Sequence, residues 1–300
     1  MKRIATAAIL VPVVLILVLR APVPLVALFA GVVAVLALRE FFEIAQSYGI
    51  KPIRLPLYIL SALLFAAVAF QSTSQPLLAT ALMMYAVGFI SVLAPFLLMS
   101  AAMTRPELGT GLPAASAGSF AIGYIALPLA LVVQLRQMWA GSFLVLYLLL
   151  LVWVGDTAAY YAGRALGRHK LAPRISPGKT WEGSIASFLA SVALGLWMFT
   201  HAREVSEFLL RIGLIERAQG YFSPEIPSLP TVGLLSAAIN IAAQLGDLVE
   251  SLIKRGAGIK DSGSLLPGHG GVLDRIDALL FAAPVLWYYA ALQVISQGHA

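Results

Sequence analysis

The sequence predicts an all-α polytopic membrane protein, and three observations indicate this fold class. Of the 300 residues, 60% are hydrophobic and 11% are charged, whereas soluble domains carry about 25% charged residues. The mean hydropathy is +0.90. Apolar runs recur at the length of about 20 residues that a membrane-spanning helix requires. We expect one integral domain, because no composition shift, repeat or linker divides the chain.

Nine spanning helices are predicted, at residues 4–19, 22–38, 56–70, 77–99, 113–134, 140–162, 183–200, 229–253 and 272–295. The first run could be mistaken for a signal peptide. However, Arg20 stands where the small residues of a cleavage site are expected, so we interpret the run as a span. Residues 203–218, "REVSEFLLRIGLIERA", place apolar side chains at helical spacing between charges. This pattern predicts an interfacial amphipathic helix.

The distribution of basic residues predicts the orientation. With the N-terminus inside, 15 of the 20 Lys and Arg residues fall in inner segments and 5 in outer ones, and basic loops face the cytoplasm. The chain is therefore expected to run N-in/C-out, with the basic loops 163–184 and 254–271 on the cytoplasmic side. The net charge of +6 suits anionic lipid headgroups rather than nucleic acid. We expect residues 1–135 to form a lipid-facing scaffold and residues 136–300 to carry the functional site.

Several ionisable residues lie inside the predicted spans. A charge near mid-membrane costs roughly 2.5–3.5 kcal/mol on insertion scales and usually faces the interior of the bundle. One face of the eighth span gathers four polar residues at steps of four, three and four, with Glu250 at its edge; they are Asn240, Gln244, Asp247 and Ser251. The remaining intramembrane acids are Asp156 in the sixth span and Asp274 and Asp277 in the ninth.

The acids of the last two spans predict a metal site. Asp247, Asp274 and Asp277 all lie near the inner end, and oxygen ligands without cysteine or clustered histidine indicate a hard cation, foremost Mg²⁺. The chain has no cysteine, which excludes disulfides, thiolate metal sites and cysteine nucleophiles. A plain structural interpretation also exists, in which Asp156 is a hydrogen-bond partner and Asp277 pairs with a nearby cation.

Two short segments suit phosphate binding. "SPGKT", residues 176–180, is no P-loop, because Pro173 stands where that motif requires glycine. It still places Ser176, Lys179 and Thr180 on a turn before a helix N-terminus, where phosphate oxygens bind. A helix cap with a cytoplasmic lysine explains these residues equally well. In "GHGG", residues 268–271, the glycines either make a flexible loop or bring backbone N–H groups close to an anion.

A carboxylate metal site beside basic loops suits in-line displacement on a polyphosphate. No dedicated nucleophile is needed if the attacking group is a phosphomonoester, whose second pKa is about 6.

Residues 251–277, "SLIKRGAGIKDSGSLLPGHGGVLDRID", contain S-x-x-K-R, K-D, H-G-G and D-R-x-D in order. This stretch resembles the signature of the phosphatidate cytidylyltransferases (CDP-diacylglycerol synthases). Residues 155–184 resemble a second region of that family. They depart from it at Gly178, where S-P-K-K-T is common, which removes one positive charge. Residues 1–135 match in hydropathy alone.

The resemblance implies the Mg²⁺-dependent reaction of CTP with phosphatidic acid to CDP-diacylglycerol and pyrophosphate, at the cytoplasmic face of a bacterial-type inner membrane. It implies CTP, phosphatidic acid and membrane lipids as partners, and it leaves room for a second cation and a homodimer. The expected metal ligands are Asp247, Asp274 and Asp277. The expected catalytic residues are Lys254, Arg255, Lys260, Asp261, His269 and Arg275. The expected substrate-binding residues are Ser176, Lys179, Thr180, Asp156, Asn240, Gly270 and Gly271.

Two other functions remain open at this stage. A CTP-dependent polyprenol or phytol kinase would share the membrane setting and the metal, but would release CDP rather than pyrophosphate. A transporter would use intramembrane acids as an ion path. That function predicts acids spread through the membrane depth, whereas the acids here gather near one interface.

Overall fold

A computed structural model shows a chain that is 81% helical. It describes residues 2–71, 75–138, 140–215, 227–265 and 270–297, with side chains described within residues 10–296. Those residues form eleven α-helices and one β-hairpin. The helices are α1 (Lys2–Arg20), α2 (Val23–Ser47), α3 (Arg54–Ala69), α4 (Pro76–Ala102), α5 (Gly111–Ala121), α6 (Leu127–Gln137), α7 (Gly141–Leu166), α8 (Trp181–Thr200), α9 (Ala202–Arg211), α10 (Leu229–Gly256) and α11 (Leu273–Gln297).

Seven helical segments are long and apolar enough to cross a membrane, judged by length and composition within the described residues. They are Val23–Ser47, Pro76–Ala102, Leu108–Gln137, Gly141–Leu166, Trp181–Thr200, Leu229–Gly256 and Leu273–Ser296. The segment from Leu108 includes α5 and α6, which a π-helical turn at Ile122–Ala126 joins. The first and third predicted spans correspond to the shorter apolar stretches Leu10–Arg20 and Arg54–Ala69. Seven of the nine predicted spans are thus confirmed as span-length helices, while the count of nine and the orientation stay predictions.

One element departs from the purely helical expectation. Residues 163–184 contain an antiparallel hairpin of β1 (Lys170–Ala172) and β2 (Ser176–Thr180), with Lys170 opposite Thr180. Strands of three and five residues are too short to show an alternating pattern, and β2 also carries proline and glycine, so the sequence signal was absent. The predicted turn before α8 is therefore a strand. Thr180 ends it and caps α8, because its hydroxyl oxygen accepts a hydrogen bond from the Gly183 N–H at 3.2 Å.

The amphipathic helix is confirmed as α9, over Ala202–Arg211. Its buried side chains are Ser206 and Leu209, whereas Arg203 and Glu207 are exposed and form an ion pair at 3.1 Å. Residues 216–218 of the predicted segment lie outside the described residues. The position of α9 at a membrane interface stays a prediction.

The second half of the chain packs as neighbouring helices. Helix α7 lies along α8, α8 along α10, and α10 along α11. A polar network joins α8 to α10: the Asn240 amide group donates to the hydroxyls of Ser187 and Ser191, both at 2.9 Å, and its oxygen accepts from Gln244 at 2.6 Å. Asn240 is buried. In an apolar interior such interhelical hydrogen bonds stabilise helix association.

We expect Asn240→Ala to lower the free energy of unfolding by about 1–2 kcal/mol, because it leaves the two serines and Gln244 without this partner. The measurement is denaturant unfolding in mixed micelles. Ile241→Ala is the matched control, since Ile241 is exposed on the same helix, and it should change the value by less than about 0.5 kcal/mol. Equal unfolding free energies for wild type and Asn240→Ala would show that the network contributes nothing.

Candidate active site

Acidic side chains of α7, α10 and α11 converge on one region. The carboxylate of Asp277 is close enough to Asp247 and Asp156 for their charges to interact. The approach of α10 to α11 depends on Gly246, because a Cβ at that position would collide with the Asp277 carbonyl and lie 3.1 Å from the Phe281 side chain. The small residue next to Asp247 thus lets the two acid-bearing helices come close together.

The hairpin brings a lysine to this acidic region. Lys179 Nζ on β2 lies 2.7 Å from Asp247 Oδ2, and the two side chains are 24% and 36% exposed. The other Asp247 oxygen accepts from the Ser251 hydroxyl at 3.5 Å. The pair is thus only partly covered by the rest of the protein. The sequence left open whether Lys179 binds phosphate or is a cytoplasmic lysine beside a helix cap. Its ion pair with Asp247 places it in the acidic region.

Lys254 forms a second, deeper ion cluster. Its Nζ lies 2.5 Å from Glu250 Oε2 and 2.5 Å from Asp274 Oδ1. The side chains of Lys254, Glu250 and Asp274 are 11%, 1% and 6% exposed. Burying charges is costly and is offset only by close pairing and further hydrogen bonds. Lys254, on α10, is therefore tied to α11 through Asp274, and its expected catalytic role with phosphate stays a prediction.

The second oxygen of Asp274 stabilises the turn before α11 by accepting two backbone hydrogen bonds. Asp274 Oδ2 accepts from the Ser262 N–H at 2.9 Å and from the Gly271 N–H at 2.8 Å. Gly270 has a φ of 77°, which favours glycine. The Gly271 N–H, expected to face an anion, is therefore used within the chain. Its assignment to substrate binding stays a prediction.

Sequence reasoning missed Glu40, Tyr48 and Tyr124. Tyr124 lies on the π-helical turn, a distortion common at functional sites. Its hydroxyl is in the electrostatic field of Glu250, Asp277, Asp247 and Asp274. Among the described residues, the Tyr124 hydroxyl and Glu250 Oε1 are buried oxygen atoms without a hydrogen-bond partner. A tyrosine in an apolar run gives no signal of this position, and Glu40 and Tyr48 gave none either.

The other predicted residues occupy varied places. Arg275 is exposed and in electrostatic contact with Asp156, which is also exposed. The exposed Arg255 donates to the Ile259 carbonyl at 3.0 Å. Thr180 caps α8, and the Asn240 amide is used in helix packing, so their substrate contacts stay predictions. Two further residues are exposed and one is partly buried: Lys260, Asp261 and Ser176 respectively. His269 lies outside the described residues.

The charges of this region fit a divalent cation. Five acidic side chains, at 156, 247, 250, 274 and 277, lie among three basic ones, those of Lys179, Lys254 and Arg275, so acidic groups outnumber basic groups here. No group of three His, Asp or Glu side chains within the described residues is spaced to hold a metal by itself. Mg²⁺ usually binds one or two carboxylates together with substrate phosphates, and such a site needs no complete protein shell.

Several known proteins are similar in sequence to this chain. The chain is 42% identical over 190 residues to the phosphatidate cytidylyltransferase of Brucella suis biovar 1, an alignment that covers 63% of this chain and 61% of the relative. The same-named protein of Haemophilus influenzae is 40% identical over 157 residues, or 50% and 46% of the two chains. That of Pseudomonas aeruginosa is 39% identical over 161 residues, or 53% and 51%.

The matched part of the chain thus spans less than two thirds of these relatives' length. A second comparison covers far more of this chain: the model of the family described as "Cytidylyltransferase family" matches residues 1–293. The match includes the acids of α7, α10 and α11, the hairpin, and the N-terminal helices that the motifs did not cover. The protein therefore belongs to the cytidylyltransferase family.

Proposed function

We propose that the protein is a phosphatidate cytidylyltransferase, which converts CTP and phosphatidic acid into CDP-diacylglycerol and pyrophosphate. The observation that carries the proposal is the meeting of Lys179, on the basic hairpin, with Asp247 in the acidic region. Phosphate-binding cations and metal-binding oxygens are thereby adjacent, as transfer between two anions requires. The names of the matching relatives supply the nucleotide and the lipid.

The reaction is an in-line displacement. An oxygen of the lipid phosphate bonds to the α-phosphorus of CTP, the bond from that phosphorus to the bridging oxygen breaks, and pyrophosphate leaves with the electron pair. The lipid phosphate is largely ionised at neutral pH, so the protein need not deprotonate a nucleophile. Its main task is to bring two anions together.

The chain's residues divide this task by their position. Lys179 and Arg275 lie at the accessible side of the acids, where they can neutralise phosphate oxygens. Asp247 and Asp277 would hold Mg²⁺, with Asp274 as the third predicted ligand. When bound, Mg²⁺ supplies neutralising charge to the phosphate oxygens. The buried Lys254 keeps Asp274 and Glu250 in place. A second cation and a homodimer remain compatible with this arrangement.

The proposed location is the inner, cytoplasmic membrane with the site facing the cytoplasm. The basic hairpin, at 170–180, and the α10–α11 connection carry the cations that the positive-inside rule places there. This side also supplies CTP.

The direct test uses purified protein with CTP labelled at the α-phosphate, phosphatidic acid vesicles and Mg²⁺. We expect a lipid-soluble product that retains the label, pyrophosphate in equal amount, and loss of both on chelation of Mg²⁺. Transfer of the γ-phosphate to lipid with release of CDP would instead show a kinase. Absence of any product with well-folded protein would contradict the proposed function.

We expect Asp247→Asn to lower kcat/KM by about 10²-fold or more, because a charged oxygen ligand for Mg²⁺ and the partner of Lys179 are lost together. The measurement is initial rate against Mg²⁺ concentration. Glu43→Gln is the control: Glu43 is a half-exposed carboxylate paired with Arg39 on α2, and its loss should leave the rate unchanged. A normal rate and Mg²⁺ dependence in Asp247→Asn would remove Asp247 from the metal site.

We expect Lys179→Ala to raise KM for CTP about tenfold or more, since a charge-assisted hydrogen bond to phosphate contributes about 1.5–3 kcal/mol. Steady-state rates over a range of CTP concentrations measure it. Lys51→Ala is the matched control, because Lys51 is exposed and pairs with Glu107. An unchanged KM in Lys179→Ala would leave this lysine a purely structural partner of Asp247.

A further inference from the structure

Glu40, on the N-terminal helix α2, caps a helix that lies more than 230 residues later in the chain. Its side chain is buried, and both of its carboxylate oxygens accept hydrogen bonds. Glu40 Oε1 accepts from the Val272 N–H at 2.8 Å, and Oε2 accepts from the Leu273 N–H at 2.8 Å. The first N–H groups of a helix have no intrahelical partner and carry partial positive charge. Glu40 supplies the missing acceptors at the start of α11.

The same carboxylate is connected to Asp274 through Ser262. The Ser262 hydroxyl donates to Glu40 Oε2 at 2.9 Å and accepts from the Asp274 N–H at 3.3 Å. The Ser262 N–H in turn donates to Asp274 Oδ2 at 2.9 Å. The packing leaves no room for a side chain at Gly271, where a Cβ would overlap Glu40 and Ser262. A continuous hydrogen-bonded path thus runs from α2 to a proposed metal ligand.

Tyr48, directly after the end of α2, makes a second contact, with the last turn of α10. The Tyr48 hydroxyl donates to the Ile253 carbonyl at 2.7 Å, in the last turn of α10. That carbonyl lies next to Lys254, the partner of Asp274. One helix therefore contacts both the end of α10 and the start of α11, and so sets the distance between them.

We propose that Glu40 and Tyr48 are positioning residues, through which the C-terminal end of α2 fixes the end of α10 and the start of α11, and with them Lys254 and Asp274. The inference rests on the proposed function, because the positioned groups belong to that site. It gives the N-terminal half of the chain a direct part in the site, in addition to the expected scaffold. Glu40 acts through Ser262 and the α11 backbone, without touching substrate.

Glu40→Gln tests the hydrogen bonds of Glu40 to the start of α11 most directly. The Val272 and Leu273 N–H groups approach different oxygens of Glu40. An amide has one oxygen, so one N–H group must face an –NH₂ group whichever way the side chain is turned. The variant preserves size and removes the matched acceptors. Glu43→Gln is the control, three residues away on the same helix, with an exposed side chain. Tyr48→Phe tests the second contact and removes a single hydroxyl from a half-exposed side chain.

Hydrogen–deuterium exchange of the full-length protein tests the contact without reference to activity. In Glu40→Gln we expect the amides of residues 272–274 to exchange about tenfold faster, since loss of a hydrogen bond of typical net strength permits local opening. Exchange in α7 and α8 should stay unchanged, as should all exchange in Glu43→Gln. Wild-type exchange at 272–274 in Glu40→Gln would overturn the inference.

Kinetics separates positioning from simple stabilisation. In Glu40→Gln we expect kcat/KM for CTP to fall about 10–100-fold with a higher KM, because a small displacement of reacting groups is costly. Tyr48→Phe should shift KM in the same direction by a smaller factor. Loss of folded protein would lower kcat and leave KM unchanged, and that result in the folded variants would overturn the proposal. If Glu40→Gln does not fold, an unchanged KM in Tyr48→Phe would overturn it. An inactive wild-type protein would instead contradict the proposed function. The exchange of residues 272–274 would still show whether Glu40 stabilises the start of α11.

Discussion

The structure depends on the burial of carboxylates inside an apolar bundle. An ionised carboxylate cannot stay in such surroundings without a cation or several hydrogen-bond donors. Glu40, Glu250 and Asp274 are all at most 6% exposed, and each meets this requirement with a different partner set. Glu40 uses two backbone N–H groups and the Ser262 hydroxyl, Glu250 uses Lys254, and Asp274 uses Lys254 together with backbone N–H groups. These demands determine where α2, α10 and α11 lie relative to one another.

The accessible acids are less completely compensated. Asp247 has Lys179 as its partner, whereas Asp277 accepts from the Ala278 N–H at 2.8 Å and faces the charges of Asp247 and Asp156. Repulsion within this group opposes folding unless a cation reduces it. The site therefore has a buried part, in which Lys254 pairs with Glu250 and Asp274, and a more exposed part, in which Lys179 pairs with Asp247.

The sequence predicted the helices and the acids well, because long apolar runs and rare intramembrane charges are strong local signals. It could not predict the hairpin, whose strands are too short for a pattern. It also could not separate Glu40 from Glu43. Both lie in the C-terminal half of α2, three residues apart, yet Glu40 is buried against α11 and Glu43 is half-exposed. That difference depends on a contact across more than 230 residues, which no local pattern contains.

The network around Asp274 connects residues that lie far apart in the stretch 251–277. Ser262 and Gly271 donate to Asp274, Lys254 pairs with it, and Glu40 binds Ser262. Each of these residues satisfies another's hydrogen-bonding or charge demand in a low-dielectric setting, where an unmet demand is expensive. A change at one position therefore leaves a neighbour unpaired. Interdependence of this kind connects Lys254, Ser262, Gly271 and Asp274, and through Glu40 it extends to α2.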